Sequence, residues 1–331
     1  MTKVDRFRAL CVLAASFACA ASFAFAATSA HAQAYPTRPV RVILPFAAGG
    51  IADITTRLIA EKLGDRLGQR IIVDNQPGAG GISAARSVLA SAADGYTLAL
   101  VTNGTAISVP LFKTLPFDPL KDFAPISALG NFDLVMTANA ASPHHTLGDF
   151  LKQAKADPGK LNVGTISVGS TQNLAAELLR SLSGDSFTII TYRTAPEAVI
   201  ALLRNDIQLL VEYYATVKSG LKDGKLRALA TSGDKRSQVL PNVPTVAEAG
   251  VPGYAVTSWN ALFAPAGTAP GIIAKLNQGV REVAASPDVK RRLLELGIEA
   301  QAGPPEEIAG RLKAEIGKWT KVIDDAKIPK L

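Results

Sequence analysis

Cysteine is nearly absent. The 331-residue chain holds two, Cys11 and Cys19, and both fall in an N-terminal stretch that reads as a removable leader. Lys3, Arg6 and Arg8 open that stretch, an apolar run follows from Ala9 to Ala26, and Ala30-His31-Ala32 fits a small-x-small cleavage site. The run is Ala-rich and short for a membrane span, so residues 1–32 are expected to be a signal peptide cleaved near Ala32, with export to the periplasm. What remains has no cysteine, which excludes disulfide frameworks, cysteine nucleophiles and thiolate metal sites.

Histidine is almost as scarce. Beyond His31 there is only the pair His144-His145, beside Pro143 at an expected helix start, with no HxxxH or acidic partner pattern. Surface placement is expected for both. GxSxG, P-loop and HExxH motifs are missing, so a hydrolase would have to recruit one of these loop histidines as its base. No catalytic residue, metal or cofactor is expected. The net charge is +7, and the leader's three basic residues and Asp5 leave +5 for the rest. The basic residues are scattered and form no stripe, so no nucleic-acid partner is expected, although a mild positive field favours anionic small molecules.

What is there is a repeated alternation of short β runs and helical patterns. VRVILPF (40–46), RIIVDN (70–75) and TLALVT (97–102) read as strands, with amphipathic helices between them. LNVGTIS, FTIITY, IQLLVE and LRALATS carry a second series, in which the helix TQNLAAELLRSLSG stops at Gly184. SWNALFAP is a late strand, and three helical segments run from Pro270 through Lys327. The rhythm predicts two α/β units with parallel sheets. If the late strand returns to the first sheet, the chain crosses between units near Gly130 and near Tyr254. The result is two lobes with a two-strand hinge and a ligand cleft between them. The expected bounds are 35–130 plus 260–331 for lobe 1 and 131–259 for lobe 2.

Two loops carry the candidate chemistry. Phe46-Ala47-Ala48-Gly49-Gly50 joins a strand to a helix whose free N–H groups and dipole suit an anion, and Asp53 is placed to cap that helix. A tight turn with no ligand explains the same residues equally well. Ser167-Val168-Gly169-Ser170-Thr171 has the same character, with ordinary N-capping by Ser170 or Thr171 as the alternative. Asn103, in Thr102-Asn103-Gly104-Thr105, offers side-chain donors or an ordinary Asn-Gly turn. Pro77-Gly78-Ala79-Gly80-Gly81 imitates a dinucleotide fingerprint, but Ser83 holds the third glycine position, so a packing turn is expected.

The stretches YPTRPVRVILPFAAGGIADITTRLIAEKLGDRLGQRIIVDNQPGAGG, ADGYTLAL, LPFDPLKDFAPIS, GKLRALATSG, VPTVAEAGVPGY and SWNALFAPAGTAP together resemble the Bug-type receptors of tripartite tricarboxylate transporters, over nearly all of Tyr35 to Lys327. The resemblance implies a type II-like periplasmic binding protein without catalytic activity. It implies a monomer that closes on a small organic acid or amino acid and hands it to membrane permease subunits. A receptor that reports to a signalling partner is the alternative. The family's ligand loops map onto Phe46 to Asp53 and onto Val168 to Asn173. Four places depart from the usual pattern: Asn173 stands where His is usual, Thr191-Tyr192-Arg193-Thr194 replaces PYKG, Ile207 to Glu212 replaces VDLMFD, and Asn260 follows Ser258-Trp259. Arg193 either faces the cleft and pairs with a second carboxylate or lies on the surface. Glu212 either lines the cleft, favouring a ligand with an amine or hydroxyl, or caps the following helix.

Overall fold

Buried apolar runs set the frame. The computed structural model describes residues 35–331; the leader, with Cys11, Cys19, His31 and the cleavage site near Ala32, lies outside the described residues. Arg38–Leu331 forms one compact unit. Strands β1 (Val40–Leu44), β2 (Ile71–Asn75) and β3 (Thr97–Thr102) pair in parallel, β1 lying between the other two. Val40, Val42, Leu44, Leu98 and Leu100 are all buried, as strands covered by helices on both faces require. Helix α1 (Ile51–Leu67) follows β1 and ends at Gly68, whose φ of 71° is the left-handed stop that glycine takes cheaply. Helix α2 (Ile82–Leu89) follows β2.

Strand β4 (Phe123–Asn139) is the long member, at 17 residues. Its first part, Phe123 to Asp133, pairs antiparallel with β9 (Thr257–Pro265), which in turn pairs with β3. From Leu134 onward it pairs with β7 (Leu209–Tyr213) and β8 (Leu226–Thr231). β7 pairs in parallel with β5 (Asn162–Ile166), and β5 with β6 (Thr188–Tyr192). A short β10 (Ile298–Ala300) pairs with β4 at Gly130 to Phe132. The main path of the ten-stranded sheet is therefore β2-β1-β3-β9-β4-β7-β5-β6. One strand belongs to both halves, and the pairing changes hands at Asp133–Leu134.

The second half has its own core, in which Val135, Leu210, Ile207 and Leu226 pack with Ala198, Ala201, Leu202 and Val217. Its helices are α4 (Leu147–Ala156), α5 (Thr171–Ser183), α6 (Ala195–Leu203) and α7 (Tyr214–Lys222). The C-terminal helices α8 (Pro270–Ala285), α9 (Pro287–Leu294) and α10 (Pro305–Asp325) complete the chain. Helix α5 ends at Gly184 with φ 69°, where the sequence places its stop.

Two expectations fail, and one strand has no local signature. Thr102-Asn103-Gly104-Thr105 is no loop: Asn103–Leu111 is a helix, α3, and the Thr105 hydroxyl accepts the Thr102 N–H at 3.2 Å, so a turn-like dipeptide is recruited into a capped first turn. His144 is buried, not exposed. Its Nε2 donates to Gln153 Oε1 at 2.7 Å, its Nδ1 lies 3.0 Å from Ser142 Oγ, and its ring meets Phe150 edge-on, while His145 stays exposed. Polar partners inside the fold make that burial affordable. β4 was also hidden, because Pro125, Gly130 and Asn131 interrupt its pattern. Register shifts after Pro125 and Ala128 absorb them, and a Cβ on Gly130 would lie 2.6 Å from Ile298, so glycine is what admits β10.

Candidate functional site

Both candidate loops share one construction. After β1 the chain reaches Gly49 at φ 85°, and Gly50 serves as the N-cap of α1. Asp53, the third helical residue, turns back: its Oδ2 accepts the Gly49 N–H at 3.0 Å and its Oδ1 accepts Arg57 Nε at 2.9 Å. Burial pushes the Asp53 carboxyl up, but hydrogen bonds from Arg57, the Gly49 amide and Asn75 outweigh it and hold the group below the usual range. Asn75 Nδ2 also donates to the Phe46 carbonyl at 3.0 Å. After β5 the chain reaches Gly169 at φ 81°, and Ser170 is the N-cap of α5. Asn173, again the third helical residue, accepts the Gly169 N–H through Oδ1 at 3.2 Å. Asn173 thus does in its loop what Asp53 does in the other. Each spends a side-chain oxygen on its own glycine's amide.

The loops differ at the helix ends. Ser170 Oγ accepts the Asn173 N–H at 3.1 Å and donates to the Ile166 carbonyl at 2.9 Å. Gly50 brings no side chain to α1, so the first-turn amides of that 17-residue helix have no cap from the chain. Helix α7 likewise has no side-chain cap. These two ends meet at one place. A cavity of about 350 Å³ is lined by Gly49, Ile51 and Ile54 from the α1 end, Ala215 and Thr216 from the first turn of α7, and Ala195, Pro196, Val199 and Ile200 of α6. Three helix N-termini from the two halves of the sheet converge on it, and their dipoles add to a positive potential.

Of the other candidate residues, Phe46 is half-buried with its ring over Gly104, while Ala47 and Ala48 are exposed. Ser167 is exposed and donates its N–H to the Tyr192 carbonyl. Ser167, Gly169, Ser170, Thr171 and Asn173 do not line the cavity. Thr171 instead joins the two halves: its hydroxyl accepts Asn103 Nδ2 at 3.2 Å, and Asn103 Oδ1 accepts the buried Trp319 Nε1 at 2.9 Å. Leu111 closes on the same loop, 2.9 Å from where a Cβ on Gly169 would stand. Arg193 is exposed, two residues before the Ala195 that lines the cavity.

Glu212 is no helix cap. It is 1% exposed, and its Oε1 accepts the Tyr213 N–H at 2.7 Å and Gln172 Nε2 at 3.0 Å, whereas Oε2 has no partner. Burial pushes its carboxyl up to about 7 against those two hydrogen bonds. Asn260 is buried on β9 opposite Thr102, with Nδ2 unpartnered. Next to Glu212, the Tyr213 hydroxyl donates to Ser258 Oγ on β9 at 3.1 Å, a second bond between the halves. The convergence of helices α6 and α7 was missed from sequence, because Ala195, Pro196, Ala215 and Thr216 offer backbone and not chemistry. Among the described residues no group of His, Cys, Asp or Glu is placed to hold a metal ion, and no helix is long and apolar enough to cross a membrane.

Two α/β halves joined through shared antiparallel strands, with helix N-termini turned to a cavity between them, make a two-lobed solute-binding protein of the periplasmic type. Solved structures agree in fold. An R. palustris protein solved with adipate is 33% identical, with a TM-score of 0.85 over 90% of this chain and 100% of its own. MatC from Rhodopseudomonas palustris, solved with bound malate, is 34% identical, with a TM-score of 0.80 over 87% and 100%. The tripartite tricarboxylate transporter family receptor profile matches residues 55–328, and the chain belongs to that family. BugT of Bordetella pertussis is 34% identical over 88% of this chain and 90% of its own, which supports the Bug-type resemblance.

Proposed function

We propose that the protein is an exported, periplasmic, monomeric receptor without catalytic activity. It captures a small organic carboxylate between lobe 1 (35–130 plus 260–331) and lobe 2 (131–259) and delivers it to the permease subunits of a tripartite tricarboxylate transporter. The observation that carries this reading is the meeting of the uncapped ends of α1 and α7 at one cavity. Their amides are donors without an internal acceptor, and a carboxylate supplies one where the dipoles favour negative charge. The adipate and malate held by the two solved relatives are carboxylates too.

In this reading Asp53 and Asn173 are positioning residues that fix the loops. Arg193 stands at the rim. A thermal-shift screen of carboxylates and amino acids tests the reading, since a ligand that binds only the folded form raises the melting temperature. Gly49→Ala provides the structural control. No atom lies within 4 Å of the added Cβ, so the positive φ of 85° is its only conflict. It should weaken carboxylate binding while the protein still unfolds cooperatively. A screen in which no carboxylate shifts the melting temperature sinks the reading.

A further inference from the structure

The cavity between α1, α6 and α7 has two unlike sides. One is formed by the uncapped first turns of α1 and α7. The other is α6, which offers little to an anion: Pro196 has no N–H, and the Glu197 N–H goes to Thr194 Oγ1 at 3.4 Å. What α6 presents is Ala195, Pro196, Val199 and Ile200, faced by Ile51 and Ile54 of α1. No charged side chain lines the cavity, and Thr216 carries its one side-chain hydroxyl.

Ile200 is 53% exposed and Val199 half-buried, so apolar surface is left uncovered beside the opening. The volume of about 350 Å³ falls at the lower end of ordinary ligand sites, which run from roughly 300 to 1,000 Å³.

We propose that the ligand is a monocarboxylate with an apolar body, a single ring or a short aliphatic chain, whose carboxylate meets the ends of α1 and α7 and whose body lies against α6. This rests on the carboxylate reading above and deepens it. A second carboxylate or an ammonium group within the cavity would be stripped of water against Ile51, Ile54 and Val199 with no counter-charge in the lining, which is strongly unfavourable. An apolar body instead covers side chains that are now exposed.

The test is a homologous series. Acetate, butyrate, hexanoate and benzoate are titrated by calorimetry into the intact protein beside malate, aspartate and citrate. Affinity should rise about fourfold for each methylene buried until the cavity is full, and the three polar acids should bind more weakly than hexanoate or benzoate. Ile200→Asn, a neutral change at an exposed position of the lining that does not endanger folding, should weaken hexanoate about tenfold and weaken acetate much less. A flat series, or binding of malate, aspartate or citrate as tight as or tighter than that of hexanoate and benzoate, overturns the proposal and leaves the carboxylate reading standing. Failure of every acid to bind sinks both.

Discussion

Glu212→Gln should make the protein more stable above neutral pH and change little in acid. The buried carboxyl ordinarily titrates near 4.5 but is pushed up to about 7 in the fold. Between those values the folded protein holds a proton that the unfolded chain has released, so stability is full below about 4.5 and is lost as pH rises through 7. At 1.36 kcal/mol per pH unit the loss is about 3 kcal/mol. With roughly 2.1 cal/mol/K of unfolding entropy per residue over about 300 residues, that is roughly 5 °C in melting temperature. Glutamine keeps the acceptor for Tyr213 N–H and Gln172 and does not titrate. Melting temperatures of both proteins should be followed by circular dichroism from pH 4.5 to 8 at one ionic strength. The difference between variant and parent should grow by about the stated amount, most of it between pH 5 and 7. A difference that stays constant across the range refutes the reasoning, because Glu212 would then be ionised in the fold at all those pH values.

Asp133→Asn should remove a separate loss of stability at lower pH. Burial raises the Asp133 carboxyl to about 6 from near 3.8, against a hydrogen bond from Thr257, with Glu299 and Asp234 adding to the rise, so the parent weakens as pH climbs through about 4 to 6; urea unfolding at pH 4 and pH 7 checks it. Asn103→Ala should cost about 1–3 kcal/mol in urea unfolding, since it leaves the fully buried Trp319 Nε1 without its acceptor. Unchanged stability would mean that water replaces the amide.

Much of this molecule can be read from its residues, for identifiable reasons. Strands β1 and β3 are apolar runs with clear borders, and the ends of α1 and α5 carry glycines at positive φ. β4 is unreadable because its irregularities are paid in bulges against β9, a partner more than a hundred residues away. Helix α3 is masked by Asn103-Gly104, and Pro110 stands inside it. At the proposed site, Gly49 stands out by composition. The first turn of α7 does not, because what it brings is peptide N–H groups, which every residue except proline has, and α6 brings only small and apolar side chains. Whether a histidine or a glutamate is buried depends on distant partners, Gln153 for His144 and Gln172 for Glu212, and no local pattern announces either.

The Asp53 and Asn173 braces bear on the kinetics of capture. A mobile glycine loop would have to be frozen by its ligand, at about 1–2 kcal/mol for each residue ordered. Here Gly49 and Gly169 are tied by the chain's own side chains, so that entropy is lost during folding and not at each encounter. On the function proposed above, the solute would meet loops already set, and the motion left to drive would be that of one half of the sheet against the other. Capture would then be governed by how readily β4 and β9 flex between Asp133 and Thr257, a property separate from the residues that line the cavity and free to be tuned without altering what is recognised.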